Sequence, residues 1–213
     1  MTERLTKIFE RIPQCQVFAD VGCDHGYIAL NMLTSGKCKK AIISDISEKC
    51  LDKARSLLSG FIQDGLVTST VSDGFDNIPY CDVALVAGMG GEEICSILQK
   101  AKNLPNSLVL QPMKNCDKVR VKAVELGYKI QSDQMFKSAG KFYDLIVLVK
   151  GEDKLSREEI DFGRDNVNGK NVHFKEKMQI EAKKIKSHLT NERLSESVRE
   201  QMEKELEKIL KYV

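Results

Sequence analysis

No apolar run in these 213 residues approaches the ~20 needed to cross a bilayer. The opening stretch MTERLTKIFERI mixes acids with bases and has no apolar h-region, so a signal peptide is not expected. No CxxC pair exists. The 7 cysteines, Cys15, Cys23, Cys38, Cys50, Cys81, Cys95 and Cys116, are odd in number and all precede residue 117. That pattern reads as reduced thiols in a cytoplasmic protein, several of them small core residues, and excludes a disulfide framework; no metal site is expected. No sign of charge dominates either. A net charge of +2 argues against a sequence-blind polyanion binder, while a local basic face stays compatible with it. What is present is an ordinary globular mixture, 42% hydrophobic and 30% charged. The length suits one domain with a sizeable core plus a small extra element.

Thr2 is placed to cap a helix over the first eleven residues, with Leu5, Ile8, Phe9 and Ile12 as its apolar stripe and Pro13 as its stop. Short apolar runs then predict buried strands over 17–21, 41–46, 67–72, 83–87 and 107–111. Helical spacing predicts helices over 27–35, 48–62, 92–102 and 116–126, the last closed by Gly127. This alternation means a parallel sheet with helices on both faces and right-handed crossovers. After Gly127 two strands, 128–136 and 142–149, are joined by the five residues 137–141. That link is too short for a crossover helix, so the pair closes as an antiparallel hairpin. The expected fold class is α/β, a Rossmann-like seven-stranded sheet, parallel with a reversed last strand. From residue 151 the composition shifts to Lys and Glu. Met178, Ala182, Ile185 and Leu189, then Val198, Met202, Leu206, Ile209 and Val213, recur at steps of 3 and 4. These are the seams of two helices joined near Thr190-Asn191, a coiled-coil-like antiparallel helical hairpin. Two domains are expected, 1–151 and 152–213.

Four motifs fall where strands end. Asp20-Val21-Gly22-Cys23-Asp24-His25-Gly26 follows the first strand and opens a helix. Glycines there give a tight turn and close backbone approach to a ligand. The spacing is not GxGxxG: Asp24 stands at the middle glycine's place, where its carboxylate would repel a pyrophosphate and tolerate a cation. Asp45 lies 23 residues beyond Gly22, close to the ~20 at which an acid reaches ribose hydroxyls; read alone, it also fits a helix-capping Asp before Ser47-Glu48. In Ser72-Asp73-Gly74 after the third strand, the Asp can accept from an exocyclic amine and the glycine gives a sharp turn, or the motif simply forms a turn. Ala87-Gly88-Met89-Gly90-Gly91 after the fourth marks close approach at the sheet's ligand edge.

DVGCDHGYIAL, Asp45, Asp73-Gly74, AGMGG and Leu110-Gln111-Pro112, followed by a helical hairpin, resemble class I S-adenosylmethionine-dependent methyltransferases. More closely they resemble the bacterial tRNA (adenine-N1)-methyltransferase family that modifies adenine 22 in the D-arm. The resemblance implies S-adenosyl-L-methionine as cofactor and tRNA as partner. It places Asp20 and Gly22 at the cofactor's amino-acid end, Asp45 with Ile46 at its ribose, and Asp73 and Gly74 at its adenine. Gly88, Met89 and Gly90 would floor the methyl group. Asp24, His25 and Tyr27 would stand beside the transfer site, with Asp24 and Tyr27 as the catalytic pair. Met113 departs from the family, where a polar residue is expected.

Adenine N1 carries its own lone pair, so alignment and exclusion of water would carry the rate. The base must leave its pair to be reached; Asp24 would accept from its N6 amine and Tyr27 would stack on it. Lys37-Lys39-Lys40, Lys114-Lys118-Arg120-Lys122 and Lys183-Lys184-Lys186 are candidate phosphate contacts, each also readable as solvated surface. Rival readings are a methyltransferase of another RNA or a small molecule, a nicotinamide-dependent oxidoreductase, and a non-catalytic RNA-binding protein on this fold. No membrane partner is expected, and a monomer is the simpler expectation.

Overall fold

The computed structural model describes residues 1–169 and 171–213. Apolar residues in short β-branched runs are buried on both faces, and that makes central strands. In β1 (Val17–Val21), Phe18 joins one side of the sheet while Ala19 and Val21 join the other, as a period of two requires. With β2 (Lys40–Asp45), β3 (Val67–Val71), β4 (Val83–Met89), β5 (Ser107–Pro112), β6 (Tyr128–Ser138) and β7 (Lys141–Lys150), it forms a seven-stranded sheet in the order β3-β2-β1-β4-β5-β7-β6. β1 to β5 pair in parallel, and β7 runs antiparallel to both β5 and β6. The reversed strand expected from the short link is therefore present.

α1 (Glu3–Arg11) buries Ile8 and is capped by Thr2, whose hydroxyl accepts from the Leu5 N–H. α2 (Tyr27–Thr34) and α3 (Glu48–Leu57) pack with it on one face of the sheet. α5 (Gly91–Lys100) and α6 (Cys116–Glu125) cover the other. The helix expected over 48–62 is two helices: buried Leu58 leaves helical geometry at φ −102° and ψ 14°, and α4 (Ser59–Gln63) restarts. Ser59-Gly60 are weak helix formers and let the break stand. The hairpin link is also tighter than the five residues expected. Only Ala139 and Gly140 turn, both at positive φ, 47° and 76°, the geometry of a two-residue hairpin loop that follows the strands' twist.

After β7 the described residues form four helices rather than two. α7 (Arg157–Phe162) and α8 (Arg164–Asn168) precede the long pair α9 (Val172–Leu189) and α10 (Glu196–Leu210). α7 and α8 have 6 and 5 residues, too short for a periodic pattern. Of the expected seam, Met178, Ala182, Ile185, Leu206 and Ile209 pack with Met135, Phe162, Phe174 and Tyr212, while Leu189 and Met202 lie outside that cluster. Val198 and Val213 do not join it; they are 41% and 47% exposed. Tyr212 takes the last seam position, its ring 5.3 Å from those of Phe162 and Phe174, and turns Val213 outward.

The segment after β7 also seals the sheet's edge. β6 is the last strand, and an uncovered edge presents unpaired N–H groups. Asp153 Oδ2 accepts from Ile130 N–H at 2.9 Å, Asp165 Oδ2 from Asp133 N–H at 2.8 Å, and Asn166 Oδ1 from Met135 N–H at 2.9 Å. Inside, Arg120 of α6 is 1% exposed and pairs with Asp133 of β6 and Asp144 of β7, each at 2.7 Å, while donating to Ile160 O at 3.1 Å. Arg120 is thus a buried strut, not the phosphate contact its sequence neighbourhood suggested.

Candidate active site

The carboxyl ends of β1, β2, β3 and β4 open on one cleft of about 370 Å³. Asp20 reaches it from β1, Gly22, Asp24 and His25 from the turn that follows, and Tyr27 from the start of α2; Asp45 and Ile46 reach it at the end of β2, Asp73 and Gly74 just after β3, and Gly88 and Met89 from β4. Open α/β sheets bind ligands at this edge. Gly90 stands just outside as the N-cap of α5. Gly91 answers to packing: a β-carbon there would lie 2.4 Å from Asn115 O and 2.5 Å from Lys114 O. Part of the glycine run after β4 therefore serves the close passage of the loop after β5.

The turn after β1 is built from its own backbone and from β2. Gly22 N–H and Cys23 N–H both donate to Ser44 O, at 2.8 and 2.9 Å. Asp24 holds a left-handed conformation at φ 48°, which Asp tolerates better than most residues. Its N–H donates to Asp45 Oδ2 at 3.2 Å, while Asp45 Oδ1 accepts from Ser47 N–H at 2.9 Å. Asp45 thus ties the two loops, and its carboxylate keeps lone pairs for a ligand. The capping role proper belongs to Ser47, whose hydroxyl accepts from Cys50 N–H.

Asp24 Oδ2 lies 2.8 Å from His25 Nδ1, and the His25 ring stacks on Tyr27 at 5.8 Å and 9°. Tyr27 is 44% exposed, a flat face at the cleft mouth rather than a core aromatic. Ile46 is 71% exposed on the rim. Met89 lies across Gly22: a β-carbon on Gly22 would stand 2.2 Å from its methyl group. Asp73 pairs with Lys100 at 3.5 Å, and a β-carbon on Gly74 would meet Ile97 Cγ2 at 2.6 Å. Asp20 is 5% exposed. Burial, opposed by a hydrogen bond from the Ala29 backbone and reinforced by the Asp45 charge, pushes its carboxyl up to about 7. Burial likewise pushes the Cys38 and Cys81 thiols up to about 12, as expected of inert core cysteines.

Ser72 of the Ser72-Asp73-Gly74 motif also lines the cleft, and sequence reasoning missed Arg4 and Glu93, which line it too. Arg4 reaches it from α1, and no local spacing signals a contact across the 107 residues to Gln111. Of the basic clusters, Lys37 is used inside the protein, donating to Phe9 O at 2.9 Å and Ile12 O at 2.8 Å. Lys118 and Lys122 pair with Glu92 and Glu125. Lys183, Lys184 and Lys186 are exposed on α9. Among the described residues, no group of three or more His, Cys, Asp or Glu could hold a metal, and no helix is long and apolar enough to cross a membrane.

Known proteins share this frame. The chain is 26% identical over 157 residues to the tRNA (adenine(22)-N(1))-methyltransferase of Bacillus subtilis, covering 71% of this chain and 66% of that one. The structure of Streptococcus pneumoniae Sp1610 in complex with S-adenosyl-L-methionine matches with a TM-score of 0.87 at 25% identity, over 100% of this chain and 99% of that one. That of M. capricolum TrmK with S-adenosyl-homocysteine matches with a TM-score of 0.89 over 100% and 97%, at 23% identity, which speaks to the fold alone. A family model described as a methyltransferase domain matches residues 1–146. The chain belongs to that methyltransferase-domain family.

Proposed function

We propose that this protein is an S-adenosyl-L-methionine-dependent enzyme that methylates N1 of adenine 22 in the D-arm of tRNA. One observation carries the reading: acids and glycines from four separate strand ends converge in a single cleft. The cleft fits the methyl donor by its charge, since Asp20, Asp24, Asp45, Asp73 and Glu93 surround a space suited to a cationic ligand with hydroxyl and amine donors. The tRNA substrate is supported by the Bacillus subtilis relative, itself a tRNA (adenine(22)-N(1))-methyltransferase. A tRNA substrate also puts the enzyme in the cytoplasm.

Bound there, S-adenosyl-L-methionine supplies a methyl group on a sulfonium, whose loss leaves a neutral thioether. Asp45 takes the ribose hydroxyls, Asp73 and Gly74 face the adenine ring of the donor, and Asp20 with Gly22 holds its amino-acid end. Tyr27 stacks on the substrate base once it has left its helix. Asp24, held by its His25 contact, accepts from the base's N6 amine and favours the cationic product. Gly88 and Met89 close the floor and exclude water. We assign residues 1–151 to catalysis and 152–213 to tRNA contact, the exposed lysines of α9 meeting phosphates.

Transfer of labelled methyl to unmodified tRNA transcripts, followed by nucleoside analysis, tests this. The expected product is 1-methyladenosine that disappears when adenine 22 is replaced. Label at another nucleoside, or none in RNA despite donor binding, would overturn the substrate assignment.

A further inference from the structure

Arg4 enters the cleft from α1, away from the strand ends that supply its other polar groups. Two contacts fix its guanidinium. Nη1 donates to Gln111 Oε1 of β5 at 2.6 Å, and Cζ lies 5.9 Å from the centre of the Tyr143 ring of β7. Gln111 is fully buried and is itself held, its Nε2 donating to Pro112 O at 3.0 Å. So held, the guanidinium sits beside Gly88: a β-carbon there would be 3.5 Å from Nη1 and 3.9 Å from Nη2. A guanidinium has five N–H donors, and among the described residues Arg4 makes no side-chain hydrogen bond other than that to Gln111.

Charge decides what the remaining donors are for. The lining holds the five carboxyl groups named above, and of the described residues that line the cleft Arg4 alone bears a guanidinium or ammonium. Lys53 and Lys100 touch His25 and Asp73 from the rim. S-adenosyl-L-methionine carries two cationic groups, the sulfonium and the α-ammonium, and one anionic group, the α-carboxylate. Five acids suit the cations and repel the carboxylate, which needs a fixed cationic donor. We propose that Arg4 binds the α-carboxylate of the methyl donor beside Gly88, with Gln111 as the positioning residue that aims the guanidinium. A planar fork of N–H donors matches a carboxylate better than an ammonium does. This rests on the reading of the cleft as the methyl-donor site.

Calorimetric titration with two ligands that differ only in that carboxylate tests it: S-adenosyl-L-methionine and its decarboxylated form. Arg4→Gln is expected to weaken S-adenosyl-L-methionine about 10- to 100-fold, the range of a charge-assisted hydrogen bond, and to leave the decarboxylated ligand unchanged. Arg4→Lys should fall between for the first ligand. The ratio of the two affinities within one variant is independent of how much of it is folded. Equal loss of both ligands would make Arg4 a support of the fold and overturn the proposal. Unchanged donor affinity would overturn it too; a tRNA affinity lost instead would make Arg4 a phosphate contact. Wild-type protein that binds neither ligand would bring down the methyl-donor reading itself, whereas binding of both that ignores Arg4 brings down this proposal alone.

Discussion

If the cleft holds the methyl donor as proposed, Asp20 couples pH to its binding. The unfolded chain ionises this carboxyl near 3.8, and the folded chain at about 7. Between those values the folded state holds more protons, so the penalty of burying the charge grows as pH rises through that window. A cationic ligand reverses the trend by favouring the carboxylate. Affinity for S-adenosyl-L-methionine should therefore rise with pH up to about 7 and then level, by at most about tenfold per pH unit. Calorimetry from pH 5.5 to 8 checks this; a flat profile for the wild type would remove Asp20 from the ligand's charge. Asp20→Asn should be weak and flat. At Asp24, φ of 48° makes Asn the clean replacement, since Asn shares the tolerance for left-handed backbone. With the donor saturating, Asp24→Asn should lower kcat at least about tenfold, apart from any donor affinity lost with its charge; an unchanged kcat would deny Asp24 a catalytic part.

The elements that carry these side chains are locked by a few buried polar groups. Arg120 joins α6 to β6 and β7 through Asp133 and Asp144. Arg120→Ala leaves two buried carboxyls facing each other without their cation, at a cost of about 3–5 kcal/mol. For a chain of this length that is roughly 10 °C in Tm, measured by thermal unfolding. Replacing all three, as Arg120→Met with Asp133→Leu and Asp144→Leu, should recover much of it, because no charge is then left unpaired. The strand ends were readable from the sequence, since apolar runs stop where Asp20, Asp45, Asp73 and Gly88 begin. The break at Leu58 and the short helices α7 and α8 were not. The break turns on one buried side chain, α8 is held by edge contacts to Asp133 and Met135, and α7 by Ile160 O accepting from Arg120, not by a repeating pattern.

Across the whole molecule, the segment after β7 has two jobs that a single cut would confuse. Residues 153–166 cover the sheet edge, and Phe174, 2% exposed, packs against both Phe162 and Tyr212. Removing everything after residue 151 would strip β6 as well as any RNA contact. Charge reversal on the exposed face of α9 separates the two. Lys183→Glu, Lys184→Glu and Lys186→Glu together should weaken tRNA binding and lower its salt slope by about one per lysine that meets a phosphate. Donor affinity and Tm should stay unchanged. An unaltered salt slope in filter binding would free α9 of RNA contact. The sequence by itself determined the alternation of strands and helices, the reversal at the end of the sheet and four of the five acids that line the cleft, Asp20, Asp24, Asp45 and Asp73. It could do so because period and local turn chemistry are properties of neighbouring residues. Only the tertiary structure decided that Arg4 enters the cleft, that Arg120 and Lys37 are spent inside the protein and that the segment after β7 seals β6. Those roles depend on partners tens of residues away or more, and no spacing along the chain encodes them.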